Sequence, residues 1–173
     1  MSVDAVAEEA ARIAADAPAP EELVALAGGE PFLSVEGLKA GYGRMEILHG
    51  VDLHVGKRQS LCLIGPNGAG KSTVLHSIFG FTNIFSGRIR IDGREVTAQK
   101  PNEKLKDAGI AYILQDNSVF PDMTVEENLW MGGFLKDRPD AAKQAAEEVF
   151  AKYPRLAARR SQPARVLSGG ERR

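Results

Sequence analysis

The sequence predicts an α/β fold in which an N-terminal antiparallel β layer leads into a phosphate-loop (P-loop) core and a helical segment follows. Three observations carry this. Gly65-Pro66-Asn67-Gly68-Ala69-Gly70-Lys71-Ser72-Thr73 fits the phosphate-loop pattern G-x-x-x-x-G-K-[ST] completely. An apolar run, Leu61-Cys62-Leu63-Ile64, reads as a buried strand entering that loop, and Val74 to Phe79 reads as a helix leaving it. Upstream of the loop the chain alternates as strands do, whereas from about residue 121 its signals are those of helices.

Composition narrows the class further. At 173 residues the chain is about one domain, long enough for a real core. A hydrophobic fraction of 43% and a charged fraction of 26% are those of an ordinary globular protein. The net charge of −1 offers no global attraction to nucleic acid or anionic lipid. The single cysteine, Cys62, excludes an internal disulfide and reads as a buried, inert thiol in its apolar run. No apolar stretch reaches the length of a membrane span, and no signal-peptide pattern opens the chain. The expectation is a cytosolic chain, or one held at a membrane through a partner.

In order, residues 1–30 are Ala/Glu-rich, broken by Pro18 and Pro20 and closed by Gly28-Gly29. Val3, Val6, Ala10, Ile13 and Ala17 line at most a weak helical face, so a loosely ordered extension is expected there. The folded domain is expected over 31–173. Phe32 to Leu38 and Ile47 to Val55 read as strands linked through Gly41-Tyr42-Gly43. After the loop helix, stopped by Gly80, Arg88 to Ile91 and Arg94 to Val96 form a hairpin about Asp92-Gly93. Pro101 to Ala108 suggests a short helix with Pro101 in its first turn and Gly109 as its stop. Ile110 to Leu114 reads as a second apolar strand ending at Gln115. Thr124-Val125-Glu126-Glu127 is a capping box opening a helix, which explains both glutamates more simply than a carboxylate pair for catalysis does. Asp140 to Tyr153 is a further helix, with Lys143/Glu147 and Glu148/Lys152 at i,i+4 spacing and Val149, Phe150 and Tyr153 turned inward.

The loop carries the chemistry. Glycines let the backbone curl until successive N–H groups point at phosphate oxygens, and the helix N-terminus adds partial positive charge. Lys71 is expected to reach the β- and γ-phosphates, and the Ser72 hydroxyl to ligate Mg²⁺. The chain is therefore expected to bind a nucleoside triphosphate, with contacts from Gly65, Pro66, Asn67, Gly68, Ala69, Gly70, Lys71, Ser72 and Thr73. His49, His54 and His76 read as structural histidines.

Near the end of the sequence stands Leu167-Ser168-Gly169-Gly170-Glu171. It resembles the L-S-G-G-Q signature of ATP-binding-cassette (ABC) nucleotide-binding domains, and it follows a phosphate loop and a strand ending in glutamine in that family's order. The resemblance covers Phe32 to Arg173 and implies an ABC ATPase whose helical subdomain occupies about 121–173. It implies that Tyr42 stacks on adenine. It implies that Gln115 is the glutamine that contacts Mg²⁺ and the attacking water, near the membrane partner. It also implies that Ser168, Gly169 and Gly170 contact ATP held by a second subunit in a head-to-tail dimer. Ala108 to Tyr112, Val119 to Leu129, Tyr153 to Leu156 and Glu171 look like the branched-chain amino acid importer ATPases, with urea and short-chain amide importers close by. Lipopolysaccharide-export ATPases are the next resemblance. Leu114 stands where the family usually has proline.

The implied partners are transmembrane permease subunits, the second ATPase subunit and, indirectly, a periplasmic solute-binding protein. The implied place is the cytoplasmic face of the membrane. A nucleic-acid-directed ABC protein is disfavoured by near-neutral charge and the lack of a basic stripe. The family's apolar strand ending in Asp-Glu and its switch histidine do not occur in these residues. The expectation from this is a C-terminally incomplete core, as in a fragment or truncated reading frame, that binds ATP weakly, folds poorly alone and hydrolyses little. A nucleotide-binding remnant without turnover is the corresponding alternative.

Overall fold

A computed structural model of the chain describes residues 12, 15, 17–114 and 118–172. The chain divides into two compact units, 1–110 and 111–173. The weak helical face expected from Val3 to Ala17 lies almost wholly outside the described residues. Within 17–30, Pro20 opens helix α1 (Pro20–Leu26) at a position where its missing N–H costs nothing. The side chain of Gln59 donates to the Leu26 carbonyl at 2.9 Å, and Ala27 beyond it is buried.

The first unit is organised on strand β1 (Leu33–Tyr42), which pairs antiparallel with β2 (Met45–Val55) on one side and β3 (Asn83–Ile91) on the other. The short β4 (Arg94–Glu95) extends the sheet to the order β2-β1-β3-β4. Strict alternation would turn Val35 and Leu38 to opposite faces, yet both are fully buried. A register shift between them reconciles the two, with Gly37 at φ +55 and its N–H held by Asp52 at 2.7 Å. Gly87 lies against this bulge at φ +94, where a Cβ would stand 2.6 Å from the carbonyl oxygens of Glu36 and Gly37. The β3–β4 turn is the expected Asp92-Gly93, both at positive φ. The β1–β2 turn falls one residue later than expected. Tyr42 ends β1 and pairs with Met45, leaving Gly43-Arg44 as the turn.

Helix α2 (Lys71–Phe79) packs Val74 and Ile78 against Val35, Leu38, Ala40, Leu48 and Ile89 of the sheet, with Val96 closing the core. Gly80 ends it at φ +105 as the sequence indicates. Helix α3 (Pro101–Lys106) follows.

Two expected strands are absent. Leu61–Ile64 and Ile110–Leu114 have no ladder, and Leu61, Ile64, Ile113 and Leu114 are exposed, Ile64 to 91%. Cys62 is exposed as well, against the expectation of a buried thiol. A strand is a pairing rather than a property of an apolar run, and neither run has a paired neighbour among the described residues. The expected α/β class and antiparallel layer are present. Every strand pair among the described residues is antiparallel.

The second unit contains α4 (Val125–Gly132), α5 (Pro139–Lys152), α6 (Pro154–Ala157) and a 3-10 turn at Ala164–Val166. Its core is Val125, Ala146, Phe150 and Leu167. Thr124 caps α4 in the expected box, its Oγ1 accepting from the Glu127 N–H at 3.1 Å while Glu127 accepts the Thr124 N–H at 2.7 Å. The N–H groups of Val125 and Glu126 go to the carbonyls of Gln162 and Arg160, so the start of this helix is fully satisfied. Arg160 ion-pairs with both Glu126 and Glu147 and lies 4.7 Å over the Phe150 ring. Glu147 thus pairs with Arg160 instead of Lys143, whose ammonium sits 5.5 Å over Trp130. Tyr153, expected inward, is 51% exposed with Lys152 over its ring, because α5 ends before it. No helix among the described residues is long and apolar enough to cross a membrane.

Candidate functional site

The phosphate-loop residues sit between the largely exposed run 61–64, of which Leu63 packs against the core, and α2. Gly68 and Gly70 hold φ of +87 and +84, a region that residues with a Cβ rarely adopt, and this turns the chain back on itself at the helix entrance. Gly70 is the N-cap of α2 and has no side chain with which to cap it. Among the described residues, no carbonyl accepts from the backbone N–H groups of Gly70, Lys71, Ser72 or Thr73. At Thr124 the protein caps such groups; here a row of donors and the positive end of the helix dipole stand open. Gly65 to Ala69 and Ser72 are exposed, Gly70 and Lys71 are half-buried, and Thr73 closes the row on the buried side.

Lys71 folds back over this loop. Its Nζ donates to the Gly65 carbonyl at 2.9 Å and the Pro66 carbonyl at 2.8 Å. The ammonium therefore lies on the loop itself rather than on the far side of the helix. Thr73 is buried. Its carbonyl accepts from Ser77 Oγ at 2.7 Å, which in turn accepts from Thr82 at 2.8 Å, anchoring the middle of α2.

The other end of α2 holds a group that no sequence signal marked. Lys104 is fully buried, and its Nζ donates to the carbonyls of Ile78 at 2.9 Å and Ser77 at 3.4 Å. Burial pushes its pKa down to about 8. A cation at the last carbonyls complements the open N–H groups of the first turn, so both ends of the same helix dipole meet charge of the favourable sign.

Tyr42 belongs to this unit too. It is 42% exposed, and its hydroxyl shares a 2.5 Å hydrogen bond with Nδ1 of His76 on α2. Of the other histidines, His49 bonds Glu46 at 2.8 Å, and Nδ1 of His54 is buried without a partner among the described residues.

The glycine-rich turn Leu167 to Arg172 lies in the second unit. Ser168 and Glu171 form a second capping box, with the Ser168 N–H and Oγ donating to the Glu171 carboxylate at 2.9 and 2.8 Å. These bonds, from the backbone N–H first and the hydroxyl next, lower the Glu171 pKa, with Arg159 and Arg155 adding to it. The pattern S-x-x-E announces this box in the sequence as plainly as T-x-x-E announces the one at Thr124, and sequence reading passed over it. Gly169 and Gly170 do not have positive φ, and a Cβ on either would meet nothing within 4 Å. Nothing inside the unit requires glycine at either position. Gln115 lies outside the described residues.

Tyr42 and the loop 65–73 are thus held by one unit, and Ser168, Gly169 and Gly170 by the other. Residues 48–173 match the family model described as ABC transporter. A probable branched-chain amino acid transport ATP-binding protein, LivF of Archaeoglobus fulgidus, is 42% identical over 141 residues, covering 78% of this chain and 56% of that protein. The high-affinity branched-chain amino acid transport ATP-binding protein BraG of Pseudomonas aeruginosa is 40% identical over 140 residues, 81% of this chain and 59% of that one. An sn-glycerol-3-phosphate import ATP-binding protein, UgpC of Burkholderia mallei, is 39% identical over 81% of this chain and 38% of its own length. The chain therefore spans little more than half the length of the first two relatives. Among solved structures, a nucleotide-free ATP-binding cassette from an ABC transporter superposes with a TM-score of 0.70 at 28% identity, covering 83% of this chain and 61% of that one.

Proposed function

Since the chain belongs to the ABC transporter family, we propose that it is the ATP-binding and ATP-hydrolysing part of an importer, energising separate transmembrane subunits. The observation that carries this is the open row of N–H groups from Gly70 to Thr73 with the Lys71 ammonium folded over the same loop. That arrangement suits an anion such as a polyphosphate, because it offers backbone donors and positive charge over several adjacent residues.

On this reading the backbone of Gly65 to Thr73 holds the phosphate chain, and Lys71 holds the β- and γ-phosphoryl oxygens. Ser72, exposed at the first turn, and Gln115 are the proposed Mg²⁺ contacts. The metal, when bound, neutralises charge on the transferred phosphoryl group. Tyr42 supplies a π-face for adenine. Ser168, Gly169 and Gly170 approach the ATP of a second ATPase subunit, a role that the open space about the two glycines supports. Transport then follows from the ATP-dependent association of two such subunits beneath the permease.

Branched-chain amino acids are the proposed cargo, on the names of two of these relatives. The glycerol-phosphate importer among the relatives names the competing cargo.

MgATP binding by the chain and by Lys71→Ala tests the site. Loss of a charge-assisted contact worth about 1.5–3 kcal/mol weakens binding roughly ten- to a hundredfold. Equal affinity in the two proteins would remove Lys71 from the site. Uptake of labelled leucine and of glycerol 3-phosphate by cells lacking the gene separates the two cargos.

A further inference from the structure

We infer that His76 is a positioning residue for the base platform at Tyr42, so that it governs how well the site separates an adenine nucleotide from a bare triphosphate. The inference rests on the nucleotide-site reading above and adds to it a residue that the sequence marks only as structural.

An exposed tyrosine at a strand end is a poor platform by itself, because a ring free to turn about its side-chain torsions presents no fixed plane to a base. Tyr42 is 42% exposed and stands at the last pair of β1, beside the Gly43-Arg44 turn. What holds its ring is the 2.5 Å bond from its hydroxyl to His76 Nδ1. The two rings meet at an interplanar angle of 79° with centroids 6.1 Å apart, so the imidazole meets the phenol without stacking on it.

His76 is itself held. Its ring lies edge-on to Phe81 at 5.9 Å, and Phe81 lies 4.8 Å from Phe79. Its backbone carbonyl accepts from the N–H groups of both Gly80 and Phe81 at 2.8 Å, which fixes the turn that brings Phe81 back onto the imidazole. His76 also stands on the helix whose first residue is Lys71, roughly 7.5 Å further along the axis. One rigid helix therefore carries the phosphate donors at its start and the group that orients the base platform near its end. Loosening His76 should degrade recognition of the base and leave the polyphosphate site alone.

The test measures the affinity of the full chain for MgATP and for magnesium tripolyphosphate by calorimetry, in the native protein, His76→Phe, Tyr42→Phe and the double variant. His76→Phe keeps an aromatic ring against Phe81 and removes the ring nitrogen; Tyr42→Phe keeps the platform and removes the hydroxyl. Each single change is expected to weaken ATP about three- to tenfold, the range of one neutral hydrogen bond, with tripolyphosphate affected less than about twofold. The double variant should be no weaker than either single, since both break the same bond. The inference is overturned if His76→Phe weakens both ligands equally, which is the outcome of a general effect on α2, or if Tyr42→Phe leaves ATP affinity unchanged. If the native chain binds tripolyphosphate and ATP equally well, Tyr42 is not a base platform and the inference falls alone. If it binds neither, the nucleotide-site reading falls and takes the inference with it.

Discussion

At the scale of single residues, the loop and its surroundings divide by sequence distance. Lys71 bonds the carbonyls of Gly65 and Pro66, partners within its own motif that the sequence reading, which looked for phosphates, did not name. Lys104 was not legible, because the carbonyls it bonds are those of Ser77 and Ile78, far back in the chain, and a lysine in a short polar helix looks solvated. Burial places its pKa near 8, below its ordinary 10.5. Below about pH 8 the amine is charged in both folded and unfolded chains, and the cost of burying that charge is borne in full. Between about pH 8 and 10.5 the unfolded chain holds more protons than the folded one, so stability rises with pH across that window. Urea unfolding of the native protein between pH 7 and 10 is expected to show this gain, on the order of 2 kcal/mol. Lys104→Met, followed in parallel, should flatten the rise; an identical slope in the two proteins would assign it to other groups.

At the scale of elements, helices were read well and core strands badly, for one physical reason. A helix closes its hydrogen bonds within itself, so caps, glycine stops and first-turn prolines at Thr124, Gly80 and Pro101 are enough to find it. A parallel strand depends on distant neighbours, and Leu61–Ile64 and Ile110–Leu114 carry strand composition without a ladder. The antiparallel strands were legible because hairpin turns at Gly43-Arg44 and Asp92-Gly93 make two of their three pairings local. The capping box of α4 gives the element its own test. Thr124→Ala removes the acceptor for the Glu127 N–H and is expected to destabilise the second unit by about 1 kcal/mol, read from its helical circular dichroism in denaturant. Glu127 is held below the usual carboxylate range by the Thr124 backbone N–H first and its hydroxyl second. Its contribution is accordingly present above the ordinary carboxylate pKa and is lost as pH falls through the lowered one. A Thr124→Ala protein as stable as the native one would mean that the bonds from Val125 and Glu126 to the 160–162 segment suffice alone.

At the scale of the whole molecule, the phosphate loop sets the class and the signature turn sets the family, both from short runs of adjacent residues. The aromatic latch at His76 and the buried Lys104 needed the fold. The run entering the loop gives a direct measure of how this molecule differs from the sequence expectation. Cys62 is exposed, so a maleimide should label it to one equivalent without denaturant, read as a single mass increment. A thiol that reacts only in denaturant would restore the buried strand. The sheet order also fixes a sequence of events in time. Strand β1 pairs with β2 across a two-residue turn but with β3 only after the chain has passed through residues 56–82, which hold the phosphate loop and α2. Loop closure therefore puts the β1–β2 hairpin, a microsecond event, ahead of the docking of β3. The phosphate loop is the slack in that closure. A polyphosphate bound to the formed loop stabilises the folded chain by mass action, and it speeds folding as well only where the loop is ordered before β3 docks.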